Sequence, residues 1–171
     1  MGCSAGQRAR RSLCAVVPAA AAIVLFGCGS GGGSSDAFFG SAERICRENE
    51  REFVKIQRTA PISAEQAEKQ AQALIDVAQR ALDELRDLSP PDDTTAAYQR
   101  YLKARERALG YLEDGRAAAA ANDPKAYAAA KRKAAADQAN RLSLARRAGL
   151  RDCSRPTVSL GTAPKKPAPQ G

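Results

Sequence analysis

Three proline-marked breaks divide the stretch from Asp36 to Cys153: Thr59-Ala60-Pro61, Pro90-Pro91 and Asn122-Asp123-Pro124. Proline lacks the backbone donor that a helix interior needs, and it disfavours a helical residue just before it. Between the breaks, apolar residues return every three or four positions. Sustained alternation is missing and β-branched residues are few, so nothing reads as a strand. The pattern predicts four helices and an all-α fold.

The first helix is expected from about Ser41 to Arg58, with Ala42, Ile45, Cys46, Asn49, Phe53 and Ile56 on one stripe. The second opens at Ser63, where Gln66 completes a capping box. Its face is Ala67, Ala71, Leu74, Ile75, Ala78, Ala81, Leu82, Leu85 and Leu88. The third starts near Asp93 and presents Tyr98, Tyr101, Leu102, Ala108, Leu109, Leu112 and Ala119; Gly110 and Gly115 interrupt it and suggest a bend. The fourth has Asn122 or Asp123 as its cap, Pro124 at its first position, and Tyr127, Ala130, Ala134, Leu142, Ala145 and Ala148 on its face. Gly149 suits the left-handed residue that closes a helix, with Leu150 as the hydrophobic closure behind it. Long helices and short connections favour an up-down-up-down four-helix bundle.

The start of the chain has another character. Arg8, Arg10 and Arg11 make residues 1–13 positive, and Cys14 to Gly27 carry no charge. A positive region followed by a short apolar run is the pattern of a signal peptide, and the run is shorter than the ~20 residues a spanning helix needs. It ends in Leu25-Phe26-Gly27-Cys28, which resembles the lipobox of bacterial lipoproteins. That resemblance implies a diacylglycerol on the Cys28 thiol, cleavage before Cys28 and acylation of the new amino terminus. It places the mature chain, residues 28–171, on the outer face of the cytoplasmic membrane or in the periplasm. Two or more acyl chains hold a protein stably without a spanning helix. Arg10-Arg11 with Ser12-Leu13 also fits a twin-arginine export motif, and ordinary leader positives fit as well, so the route stays open.

The expected organisation is a leader at 1–27, a Gly/Ser-rich tether at 28–40, the bundle at 41–153 and a disordered Pro/Lys tail at 154–171. Phe38 and Phe39, at the end of the tether, either cap the core or sit in the lipid interface. With Cys3 and Cys14 in the leader and Cys28 lipidated, Cys46 and Cys153 remain. One lies early in the first helix and the other just past the fourth. An even number of antiparallel helices returns the chain to its starting end, and the exported compartment permits oxidation, so one disulfide is expected to staple the bundle.

The chain contains no histidine, no glycine-rich phosphate loop and no cysteine cluster. Histidine-dependent nucleophile systems, histidine metal sites and helical di-iron motifs are therefore excluded, and no catalytic residue, metal site or cofactor is assigned. Asn49, Arg105 and Gln138 fall at or near core-facing positions. They read as a buried polar layer, as the lining of a small-molecule cleft between the first, third and fourth helices near Tyr101, or as residues at the margin of the stripe with their heads in water.

Charge supplies the remaining signal. The whole chain carries +8, and removal of the three leader arginines leaves 24 basic residues against 19 acidic ones. The fourth helix is strongly basic, through Lys125, Lys131, Arg132, Lys133, Arg141, Arg146 and Arg147 against Asp137, while the second is net acidic. Lys131, Arg132, Lys133 and Arg141 are the candidates for contact with anionic lipid or an acidic wall polymer. Export argues against nucleic acid as a partner, and no protein partner is named. The leading expectation is a lipid-anchored envelope protein with a non-catalytic binding or scaffolding role. The alternative is a small-ligand receptor with an interhelical cleft.

Overall fold

The computed structural model describes residues 33–156. The expected leader, the lipidation candidate Cys28 and the part of the expected tail beyond Pro156 lie outside the described residues. Four helices follow one another: α1 (Gly33–Ile56), α2 (Ala64–Arg86), α3 (Asp92–Ala120) and α4 (Pro124–Arg147). A 3-10 turn, Asp152–Ser154, ends the described chain, and no strand occurs among the described residues. No described helix is long and apolar enough to cross a membrane. The fold is the expected all-α, four-helix arrangement.

The proline breaks fall where expected, and the local chemistry of the ends is visible. Ser63 Oγ accepts from Gln66 N–H at 3.2 Å, and Gln66 Oε1 accepts from Ile62 N–H at 3.1 Å. Asp123 caps α4 by accepting from the Lys125 and Ala126 amides at 3.0 and 2.9 Å. Leu150 N–H reaches Ala145 O and Gly149 N–H reaches Arg146 O, which is the paired closure of a Schellman motif around the left-handed Gly149 (φ 76°). Asn122 plays the same part for α3 at φ 51°.

Two features depart from expectation. The first helix starts at Gly33 rather than Ser41, so residues 33–40 of the expected tether are helical. The reason is Phe38, which is 4% exposed and meets Tyr98 edge-on with ring centroids 5.0 Å apart. That contact anchors an extra two turns of α1 against α3, and Phe38 caps the core rather than facing lipid. The third helix also runs unbroken through Gly110 and Gly115.

Packing is uneven along the bundle. α3 lies against both α2 and α4, and α1 lies against α2, but α1 and α4 share next to no direct backbone contact. At the end where α1 begins, the four helices close on a continuous core that includes Phe38, Ile45, Leu82, Leu85, Tyr98 and Tyr101. The Tyr98 hydroxyl donates to Leu85 O at 2.6 Å, so its one polar group is satisfied inside that core. Burial pushes the Tyr98 phenol well above its ordinary value.

The expected disulfide joins Cys46 to Cys153, with Cα atoms 5.1 Å apart across 107 residues. Around it the segment after α4 is clasped to α1. Glu43 accepts from the Arg151 and Asp152 amides, and Arg47 pairs with Asp152. The missing α1–α4 contact is thus replaced at one end by a covalent and ionic clasp. Among the described residues, nothing closes that side beyond the clasp.

Candidate functional site: a cleft between the first and fourth helices

Above the clasp, the gap between α1 and α4 is a cleft of about 610 Å³, floored by α2 and α3. Small side chains create it. Ala71 and Ala78 of α2, Ala108 and Gly115 of α3, and Ala130 and Ala134 of α4 all border the space. These positions keep the apolar period of a bundle core but supply too little volume to fill it. Phe53, Leu74, Leu109, Leu112 and Leu142 add apolar surface to the walls. A β-carbon on Gly115 would stand 3.8 Å from Ala130 Cβ, an ordinary contact, so α3 and α4 are close neighbours there without the glycine being required.

The polar residues gather at the clasp end. Asn49, Arg105, Gln138 and Arg141 all border the cleft there, beside Cys46 and Cys153. The structure therefore brings together the three residues expected as a polar layer or cleft, and adds Arg141. Arg105 donates to Asn49 Oδ1 at 3.4 Å. Burial, with the nearby Arg105 charge acting the same way, holds the Arg141 guanidinium below the ordinary arginine value; Tyr101 and Asp137 act in the opposite sense. Arginine stays charged through such shifts. Tyr101, expected in the cleft, lies beneath it: it is 1% exposed and its hydroxyl is 3.6 Å from Cys46 Sγ.

The basic candidates of α4 diverge. Successive helical residues point ~100° apart. Lys131 borders the cleft mouth, with Nζ 5.7 Å from the Tyr127 ring centroid. Lys133 leans to α3, where Nζ is 4.0 Å from Asp114, and Arg132 is exposed. Arg141 faces the cleft. The four do not share one basic face.

Several residues border the cleft that the sequence did not mark as cleft residues, Tyr127 among them, which was expected in the core. Gln70 donates to Ile56 O and Thr59 O, both at 2.9 Å, and so pins the turn that forms the far rim. Tyr111, Tyr127 and Gln57 also line the cleft. The usable signal was the run of alanines on core-facing positions of three helices. No family model, no curated protein and no solved structure matches the chain.

Proposed function

We propose that this chain is a lipid-anchored protein of the cell envelope that binds a small molecule in the α1–α4 cleft. One observation carries the reading: a space of about 610 Å³ stands open where a bundle of this length would normally be filled, and polar groups converge at one end of it. That volume is within the ~300–1,000 Å³ range of small-molecule sites, and an apolar lining with a few converging polar groups is their usual composition. The anchor follows from the lipobox-like Leu25-Phe26-Gly27-Cys28. The sealed end of the bundle carries the amino terminus of α1 and would face the membrane. Asn49 lies sixteen residues beyond Gly33, so the cleft opens ~24 Å along the helix from that end. The role is capture or presentation of a ligand rather than its conversion.

Native mass spectrometry of protein extracted from its own envelope tests this. The expected result is a mature chain beginning at acylated Cys28 with a noncovalent small-molecule adduct that Ala134→Trp removes. A folded Ala134→Trp variant that keeps the adduct would overturn the cleft reading. Membrane retention of Cys28→Ser would remove the anchoring reading.

A further inference from the structure

Resting on the cleft as a binding site, we infer that its occupant is a single-chain amphiphile with an oxyanion head, seated with the head on Arg105 and Arg141. The lining changes along its length. At the clasp end Asn49, Arg105, Gln138 and Arg141 bring two guanidiniums and two amides to one place, with Asp152 and Arg155 also bordering the space. Away from it, Phe53, Leu74, Leu109, Leu112, Ala130 and Ala134 form an apolar slot, with polar groups of Gln57, Gln70, Tyr127 and Lys131 along its border. From Arg105 to Gly115 the floor runs ten residues along α3, or ~15 Å.

The head end has excess positive charge. The single described side-chain acceptor for Arg105 is the neutral amide of Asn49. Among the described residues, no carboxylate forms an ion pair with Arg105 or Arg141. Of the nearby acids, Asp152 is held by Arg47 and Arg155. Asp137 faces Arg107 at 3.7 Å through one oxygen and acts on Arg141 by charge alone, its other oxygen buried without a described hydrogen-bond partner. Glu50 borders the cleft without pairing to either guanidinium. Two half-buried like charges are costly side by side unless an anion lies between them. A guanidinium fork fits the oxygens of a carboxylate or a phosphate in bidentate fashion. Asn49 and Gln138 can donate to the same oxygens. A neutral ligand would leave both guanidiniums without a direct carboxylate partner, and a short anion would leave the slot wet, so the two halves of the cleft together favour both a head and a tail.

The test is isothermal titration calorimetry on the full mature chain, residues 28–171, carrying Cys28→Ser and an intact disulfide. Lauric acid, dodecyl phosphate, dodecanol and acetate are the probes. One-site binding of lauric acid or dodecyl phosphate, about tenfold or more tighter than dodecanol and acetate, is the expected result. The tighter of the two anions assigns the head as carboxylate or phosphate. Arg105→Gln with Arg141→Gln should remove most of the preference for an anion over dodecanol. Dodecanol binding as tightly as both anions would overturn the head assignment and leave the cleft reading standing. Absence of binding by all four probes would overturn the amphiphile assignment, while the envelope-derived adduct would still decide the cleft reading.

Discussion

The Phe39 ring stands so close to Gly149 that a β-carbon on Gly149 would meet Phe39 Cε1 at 3.0 Å. Gly149 also holds a φ of 76°, which is strained for any residue with a side chain. The two constraints act at one place, where α4 ends and the chain turns toward the disulfide. Gly149→Ala should therefore destabilise the fold by roughly 1–2 kcal/mol. A urea titration should show a lower midpoint with an unchanged slope.

Gly110 gives the opposite expectation from the same residue type. A β-carbon there meets nothing within 4 Å, and the position is interior to α3. Gly110→Ala should stabilise the protein by about 0.5–1 kcal/mol, because alanine loses less backbone freedom on forming a helix. The check is the same titration, with a raised midpoint.

The Cys46–Cys153 bridge closes a loop spanning nearly the whole bundle, with a separation of 107 residues. A loop near that size is worth ~4–5 kcal/mol in the chain-entropy account. Here it also substitutes for helix packing, because α1 and α4 have little direct contact. Cys46→Ser with Cys153→Ser should lower unfolding free energy by about that amount, measured in urea against the oxidised parent. Amide exchange should quicken most in the segment after α4.

Asp152 makes the clasp sensitive to acid. The hydrogen bond from Arg47 is the largest influence on its carboxyl, with the Glu43 contact and the Arg155 and Arg47 charges acting in the same direction and burial opposing them. Its folded value is depressed below the ordinary ~4 of an aspartate. The stabilisation is thus fully present above about pH 4 and is lost as pH falls through the depressed folded value. Melting temperature should drop below pH 4 in the parent, and Asp152→Asn should show a shallower drop.

What the sequence reveals about this molecule depends on how local each signal is. The helix ends at Ser63, Asp123 and Gly149 were legible because capping and proline chemistry act within a few residues. The disulfide followed from counting helices once the lipobox resemblance had set three cysteines aside. The start of α1 was not legible, because the residues before Ser41 are rich in glycine and serine. Distant contacts make helix there favourable, chiefly the Tyr98 ring that receives Phe38. The polar end of the cleft could be read from Asn49, Arg105 and Gln138 on otherwise apolar stripes. Its empty volume is invisible to periodicity, which scores alanine as apolar without regard to size; only the volumes of the core-facing alanines carry that signal. Likewise the charge of α4 is a sum without direction, and it joined Arg132, which faces solvent, to Arg141, which faces the cleft.

Alanine 134 offers the sharpest separation of stability from binding. It is half-buried on the cleft face of α4, and the space before it is unfilled. Leucine at this position adds three carbons that can extend into the unfilled cleft. Each buried methylene contributes ~0.8 kcal/mol when burial is complete, so a partly covered leucine should add about 1 kcal/mol. The same atoms occupy the slot assigned to the tail. A ligand that binds only the folded form raises stability by an amount set by its concentration relative to Kd. In thermal melts, Ala134→Leu should therefore begin at a higher Tm than the parent, while added lauric acid should raise the Tm of the parent and leave that of the variant unchanged. A variant that melts higher and still shifts with lauric acid would mean that the acid binds elsewhere.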